Sequence, residues 1–166
     1  MPRKSRSFDR HTPNPDPKFS SIKYAKFINY LMERGKKTVA QKIFYNALDV
    51  ITEKMKDVEG FKDARQVFDQ ALKNVSPLLE IKGRRIGGSN YQVPMEVLAP
   101  RRTALGMKWM IAAARGKKGM PMHEKLAIEI VDGFNKQGGA FKKREDTHRM
   151  AEANKAFAHF ARFNRR

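Results

Sequence analysis

Three runs of this chain have residue types and spacing that could do chemistry, and in each the chemistry is recognition of anions: Gly35-Lys36-Lys37-Thr38, Gly83-Arg84-Arg85-Ile86-Gly87-Gly88-Ser89-Asn90-Tyr91, and Lys142-Lys143-Arg144. Arginine meets a phosphate or carboxylate through two parallel N–H bonds, and glycine lets bare backbone approach the same group. Arg84 and Arg85 beside the Gly87-Gly88 tip suit phosphates lining a groove; Asn90 and Tyr91 follow, and the Tyr91 ring is of the kind that stacks on an unpaired base. The alternative is a ribbon that packs on the body and leaves its arginines in solvent. The two agree if the base packs and the tip binds.

Other constellations fail. The Gly35-Lys36 run lacks the leading glycine of a phosphate-binding loop and has Lys37 where that motif needs a hydroxyl, so a helix-ending glycine with exposed lysines accounts for it. Gly83 to Gly88 does not match the dinucleotide fingerprint. His11, His123, His148 and His159 never fall three or four apart, the spacing of helical metal ligands. Asp49, Glu53 and Asp57 share a helical face that reads as solvated and turned away from a polyanion. No catalytic residue, metal site, cofactor or small-molecule substrate is expected.

Composition sharpens the anion reading. The 166 residues include 35 Lys and Arg against 17 Asp and Glu, a formal charge of +18, with no Cys. Such an excess opposes compaction, so the folded chain is expected to lie against a polyanion. The missing Cys excludes disulfides, Cys-ligated zinc, Fe–S clusters and thiol nucleophiles. The longest apolar stretch, Trp109 to Ala114, is far short of the roughly 18 to 20 residues that cross a bilayer, and residues 1–18 lack a signal peptide's apolar centre. A soluble cytoplasmic protein with no membrane partner is expected. The charge is also uneven: residues 1–18 carry five basic and two acidic residues, 80–102 five and two, and 142–166 eight and three, together +11 of the +18.

The elements that must position these cations follow from periodicity. Residues 1–18 hold Pro13, Pro15 and Pro17 at every second position and predict an extended basic arm; 19–166 read as one helical domain. Ser20 or Ser21 caps a first helix with Tyr24, Phe27, Ile28 and Leu31 inward, stopping at Gly35. A second carries Val39, Ile43, Phe44, Ala47, Val50 and Ile51 to about Met55, and, after Gly60, Asp63 caps a third with Val67, Phe68, Ala71, Leu72 and Val75. The period then changes to two. Leu79 and Ile81, then Tyr91, Val93, Met95 and Val97, alternate with polar residues around a turn at Ile86–Asn90, a β-hairpin over 79–98 whose Pro94 demands an edge. A fourth helix runs from after Pro100 to about Arg115, a fifth carries Leu126, Ala127, Ile130, Val131 and Phe134 and ends at Gly138-Gly139, and a sixth starts near Lys142 with Met150, Ala153, Phe157 and Phe160 inward. The fold class is mainly α: six helices, with one protruding hairpin between the third and fourth.

On the fourth helix Arg101, Lys108 and Arg115 recur every seven residues opposite Met107, Met110 and Ala114, which suits a helix buried on one side and laid along phosphates on the other; plain solvated charge is the alternative. Trp109 lies between the faces and reads as a core or boundary anchor in preference to a base-stacking ring. Lys142-Lys143-Arg144 at a helix start opposes the macrodipole, which an external anion would relieve.

Taken with Tyr91-Gln92-Val93-Pro94 and the run Lys142-Lys143-Arg144-Glu145-Asp146 leading to Met150-Ala151-Glu152-Ala153-Asn154-Lys155-Ala156-Phe157-Ala158-His159, the Gly35-Lys36-Lys37 turn and the Arg84-Arg85-Ile86-Gly87-Gly88 hairpin resemble, in order along the whole chain, the bacterial form of the small-subunit ribosomal protein seven family. The resemblance implies six helices with a hairpin after the third. It implies binding to the 3′ major domain of small-subunit ribosomal RNA, nucleation of head assembly, and a position by the messenger RNA exit path and exit-site transfer RNA, beside small-subunit proteins nine and eleven. Residue by residue it implies ribosomal RNA contacts from Arg3, Lys4, Arg6, Arg10, Lys36, Lys37, Arg84, Arg85, Arg101, Arg102, Lys142, Lys143 and Arg144, with the tip from Gly87 and Gly88 through Asn90 to Tyr91 near the transfer RNA. The competing reading is a DNA-binding regulator using the helices around Gly35 as a helix-turn-helix, although the second helix offers little beyond Gln41 to read bases.

Overall fold

The structure, a computed structural model, describes residues 12–56 and 63–164. Arg3, Lys4, Arg6, Arg10, His11, Asp57 and Gly60 lie outside the described residues. In chain order the elements are α1 (Ile22–Leu31), α2 (Lys37–Met55), α3 (Ala64–Val75), β1 (Leu79–Ile86), β2 (Ser89–Glu96), α4 (Ala99–Gly116), α5 (Met122–Phe134), α6 (Gly138–Ala153) and a C-terminal 3-10 helix (Lys155–Asn164). The expected mainly helical fold, with one hairpin between α3 and α4, is what forms.

Aromatic rings join the first three helices. Phe27 on α1, Phe44 on α2 and Phe68 on α3 are fully buried, with centroids 5.0 to 5.5 Å apart, and Tyr24 adds an edge contact to Phe68. On α2 the inward row is Ala40, Phe44, Ala47, Leu48, Ile51 and Met55. Val39, expected on that row, is 50% exposed because the stripe begins one residue later. Before α1, Ser21 stands at the cap position without a side-chain cap bond. Asp16 ties this corner instead. Buried, it accepts from the backbone N–H groups of Lys18 (3.2 Å) and Phe19 (3.1 Å) and from the Tyr45 hydroxyl on α2 (2.6 Å). Burial, with the Asp16 carboxylate beside it, pushes the Tyr45 hydroxyl up to about 12. At α3 the expected cap forms: Asp63 accepts from the Arg65 backbone N–H at 3.0 Å.

α5 packs against α2, α3, α4 and α6, so its apolar surface wraps most of its circumference. Two glycines inside helices mark close approaches: a Cβ on Gly133 would lie 3.3 Å from Val75, and one on Gly106 would lie 2.8 Å from the Ser76 hydroxyl.

The junction of α5 and α6 departs from expectation. α5 ends at Phe134, and Gly138-Gly139, expected to terminate it, instead open α6. The cause is a carboxylate: Glu129, fully buried on α5, accepts from the Ala140 backbone N–H at 2.8 Å and so satisfies one of the N–H groups a helix start leaves unpaired. Gly138 sits at φ +87°, and a Cβ there would lie 2.8 Å from the Asp132 side chain and 3.0 Å from Glu129 Oε1. Lys117, in the loop after α4, completes the corner with Nζ 3.0 Å from Glu129 and 2.9 Å from Asp132.

The end of α6 also differs. Met150 and Ala153, expected inward, are exposed, while Ala140, Thr147 and Ala151 are the buried positions. The helix stops at Ala153, and the chain continues in tighter 3-10 turns that carry Phe157 and Phe160 to the hairpin.

Candidate nucleic-acid interface

The hairpin closes through Gly87 and Gly88, at φ +56° and +89°, two successive left-handed residues of the kind a two-residue hairpin turn requires. The strands therefore run further than expected, through Ile86 and from Ser89, in the register Arg84 opposite Tyr91 and Arg85 opposite Asn90. Because successive strand residues face opposite ways, Arg84 and Arg85 cannot reach the same side of the ribbon together. Arg84 shares a face with Tyr91 and reaches Met95 Sδ at 3.5 Å. Arg85 and Asn90 share the other face, where both are exposed.

The base of the ribbon is docked, as an isolated hairpin requires. Val93 and Pro94 are buried. Arg101 at the start of α4 bonds Glu80 at 2.7 Å, and Arg102 donates to the Val97 carbonyl at 3.3 Å. From α6, His148 Nε2 accepts the Leu78 backbone N–H at 3.0 Å. That bond requires a neutral ring. Burial first, then the Arg144 guanidinium, hold His148 below the usual imidazole value. A base whose folded value is depressed stabilises the fold above its unfolded value of about 6.5 and loses that contribution as pH falls toward the folded value. Lowering the pH from about 7 to 5.5 should therefore reduce the protection of Leu78 and the hairpin base, measured relative to the intrinsic amide exchange rate at each pH, in the wild type and leave that protection unmoved in His148→Gln, whose amide oxygen still accepts. Equal responses in the two proteins would refute the linkage.

α4 lies between the hairpin and the α1–α2 turn, and its three-cation stripe faces neighbours along its length. Arg101 meets Glu80, Lys108 sits over the Tyr30 ring at 5.4 Å, and Arg115 bonds Glu33 at 2.8 Å and the Leu31 carbonyl at 3.3 Å. With a rise of about 1.5 Å per residue, Arg101 and Arg115 are roughly 21 Å apart. Arg101 and Arg115 are themselves about half-exposed, so these pairs are worth about 0 to 1 kcal/mol each and the stripe keeps its outward charge while bracing the turn and the hairpin. Trp109 is half-buried and packs on the core, as a boundary anchor does.

The basic triplet lies in the second turn of α6, not the first, so it stands further from the positive end of the macrodipole than expected. Lys142 and Lys143 are exposed; Arg144 lies over the Phe141 ring at 5.2 Å. At the α1–α2 turn Lys36 and Lys37 are exposed, next to Arg34 and Gly35 at φ +51° and +72°. Among the described residues, then, the side chains of Lys36, Lys37, Arg85, Lys142 and Lys143 are the expected contacts that point to solvent without a protein partner, while Arg84, Arg101, Arg102, Lys108, Arg115 and Arg144 also serve the fold. Two further residues, Lys117 and Glu129, have structural duties that their sequence context does not spell out. Lys117 was one cation among several in a loop, and Glu129 is an acid on an apolar row, three residues after Leu126 and next to Ile130, a placement that itself signals a buried partner.

The order of these features along the chain has a counterpart among known proteins. A family model described as ribosomal protein S7p/S5e matches residues 2–155. The chain belongs to the ribosomal protein S7p/S5e family. Small ribosomal subunit protein uS7 of Thermotoga maritima is 56% identical over 158 residues, covering 95% of this chain and 98% of that protein. The protein of the same name from Desulfotalea psychrophila is 52% identical over 155 residues, 93% of this chain and 96% of its own, and that from Roseiflexus castenholzii is 45% identical over 163 residues, 98% and 100%. The S7p/S5e match reaches Lys155 and so takes in α1 to α6 and the hairpin; the 3-10 helix begins at its edge.

Proposed function

We propose that this protein is a non-enzymatic structural constituent of the small ribosomal subunit that binds the 3′ major domain of its ribosomal RNA and nucleates assembly of the head. In this reading it works in the cytoplasm without a cofactor, beside small-subunit proteins nine and eleven. Its hairpin tip, Gly87 to Tyr91, lies near the exit-site transfer RNA and the messenger RNA exit path. The observation that carries the reading is the placement of the unpartnered cations. Lys36 and Lys37 at the α1–α2 turn, Arg85 on the ribbon and Lys142 and Lys143 on α6 stand on separate elements. Charges spread in this way around a compact body suit a folded RNA that surrounds the protein, whereas a single recognition helix would concentrate them. The half-exposed Arg101, Lys108 and Arg115 extend the same surface along α4, and in this reading Arg3, Lys4, Arg6 and Arg10 also contact the RNA.

Competition decides between this and a helix-turn-helix regulator. A folded RNA fragment of the 3′ major domain should displace duplex DNA of equal length with roughly a thousandfold preference or more, the ordinary gap between specific and non-specific binding. Equal affinity for the two would favour the regulator.

A further inference from the structure

Tyr91, Phe157 and Phe160 form an aromatic cluster that anion binding does not use. The Tyr91 ring lies 5.2 Å from Phe157 and 5.3 Å from Phe160, and the two phenylalanines stack on each other at 6.3 Å with planes 11° apart. All three side chains are half-buried. Such separations fall in the range where aromatic pairs attract beyond their buried area. Phe157 and Phe160 reach the same side because three residues make one turn of a 3-10 helix, so positions three apart eclipse. The cluster sits on the Arg84 face, near the tip, whereas Arg101 and His148 hold the base. A two-stranded ribbon that would sway about one anchored end thus has a second fixed point.

We propose that the C-terminal 3-10 helix is a strap that docks on Tyr91 and sets the angle of the hairpin. Tyr91 is then a positioning residue, and the face carrying Arg85, Asn90 and Gln92 is the one presented to RNA, a clause that rests on the function proposed above. While the strap is docked, the Phe157 and Phe160 rings lie against Tyr91 at tilts of 54° and 44° and compete with a base for it. The gain is preorganisation: a ribbon already held at its binding angle loses little further freedom when RNA arrives.

Hydrogen exchange on the full chain tests the strap. Tyr91→Ala and the pair Phe157→Ala with Phe160→Ala should each speed exchange of the 89–93 and 156–161 amides about tenfold, with little added when all three are combined, and Tyr91→Phe should restore the wild-type pattern. Unchanged exchange of the α2, α3 and α5 amides shows that the body stays folded. If the hairpin amides ignore loss of the phenylalanines, there is no strap. Binding to the RNA fragment gives a second readout. The phenylalanine pair variant should bind roughly three- to tenfold more weakly with the slope of log K against log salt unchanged, because no phosphate contact is lost, whereas Arg85→Ala lowers that slope by about 1. Loss of protection at 156–161 when wild-type protein binds RNA would overturn the assignment and make Tyr91 a base-stacking residue. Should the intact protein fail to bind the fragment at all, the proposed function falls, while the exchange result in free protein still decides the strap.

Discussion

Raising monovalent salt from about 50 to 200 mM should weaken binding of the RNA fragment by a thousandfold to a hundred-thousandfold, the loss expected for about six to ten neutralised phosphates. Each phosphate neutralised by Lys or Arg releases condensed counterions, at about 0.7 to 0.9 of slope in log K per contact. The cations on the α1–α2 turn, the ribbon, α6 and the α4 stripe are enough to reach that number before the arm is counted. Titrations at several salt concentrations give the slope directly. A slope shallower than about −3 would mean that most of these cations stay in solvent, and the RNA reading would fail. Single replacements then apportion it: Lys36→Ala, Arg85→Ala and Lys142→Ala should each flatten the slope by about 1.

Lys117→Met should lower stability by about 2 to 4 kcal/mol, seen as a fall in melting temperature of roughly 5 to 15 °C. The change leaves Glu129, with no exposed side-chain surface, as a buried carboxylate facing only the Ala140 N–H and the Asp132 carboxylate side of the corner. The effect belongs at the lower end of the range for breaking buried pairs, because the Lys117 side chain is 26% exposed. Glu129→Gln keeps an acceptor for Ala140 and leaves Lys117 its Asp132 partner, so its cost should be the smaller. A Lys117→Met protein that melts with the wild type would show that the corner is held by packing alone. Burial by itself would lower the Lys117 value, but the bonds to Asp132 and Glu129 outweigh it and hold the ammonium above the ordinary lysine value. A base with a raised folded value contributes fully below its unfolded value of about 10.4 and loses that contribution only as pH climbs through the folded one, so the difference between Lys117→Met and wild type should be flat across neutral pH.

What could be read from the sequence was whatever repeats with a period or forces a backbone angle. The α3 stripe from Val67 to Val75, its Asp63 cap and the Gly87-Gly88 turn stand where periodicity and chemistry put them. What could not be read depends on a partner from elsewhere in the chain. Gly138-Gly139 looks like a helix end until Glu129 supplies the acceptor that makes it a beginning. Phe157 and Phe160 fit an α-helical row until the chain tightens and turns them to Tyr91. Arg84 and Arg85 read as a pair because they are adjacent, although adjacency in a strand puts them on opposite sides. Of the site, the residue types and their elements were legible. The division of cations between those that face solvent and those with structural duties was not, since it depends on where Glu80, Glu33, Tyr30 and Phe141 come to rest.

Asp16 also limits how far the arm can reach. It pins the chain to Tyr45, and Arg10 and Arg3 stand six and thirteen residues before that point. At about 3.3 to 3.6 Å per residue, six and thirteen residues of chain span at most roughly 20 Å and 45 Å. In the reading proposed above, phosphates held by this segment would sit within that span, plus the length of a side chain, of one corner of the bundle. Once the body is seated in that reading, Arg3, Lys4, Arg6 and Arg10 would meet those phosphates at the roughly millimolar effective concentration of a short tether, adding to an attachment already made.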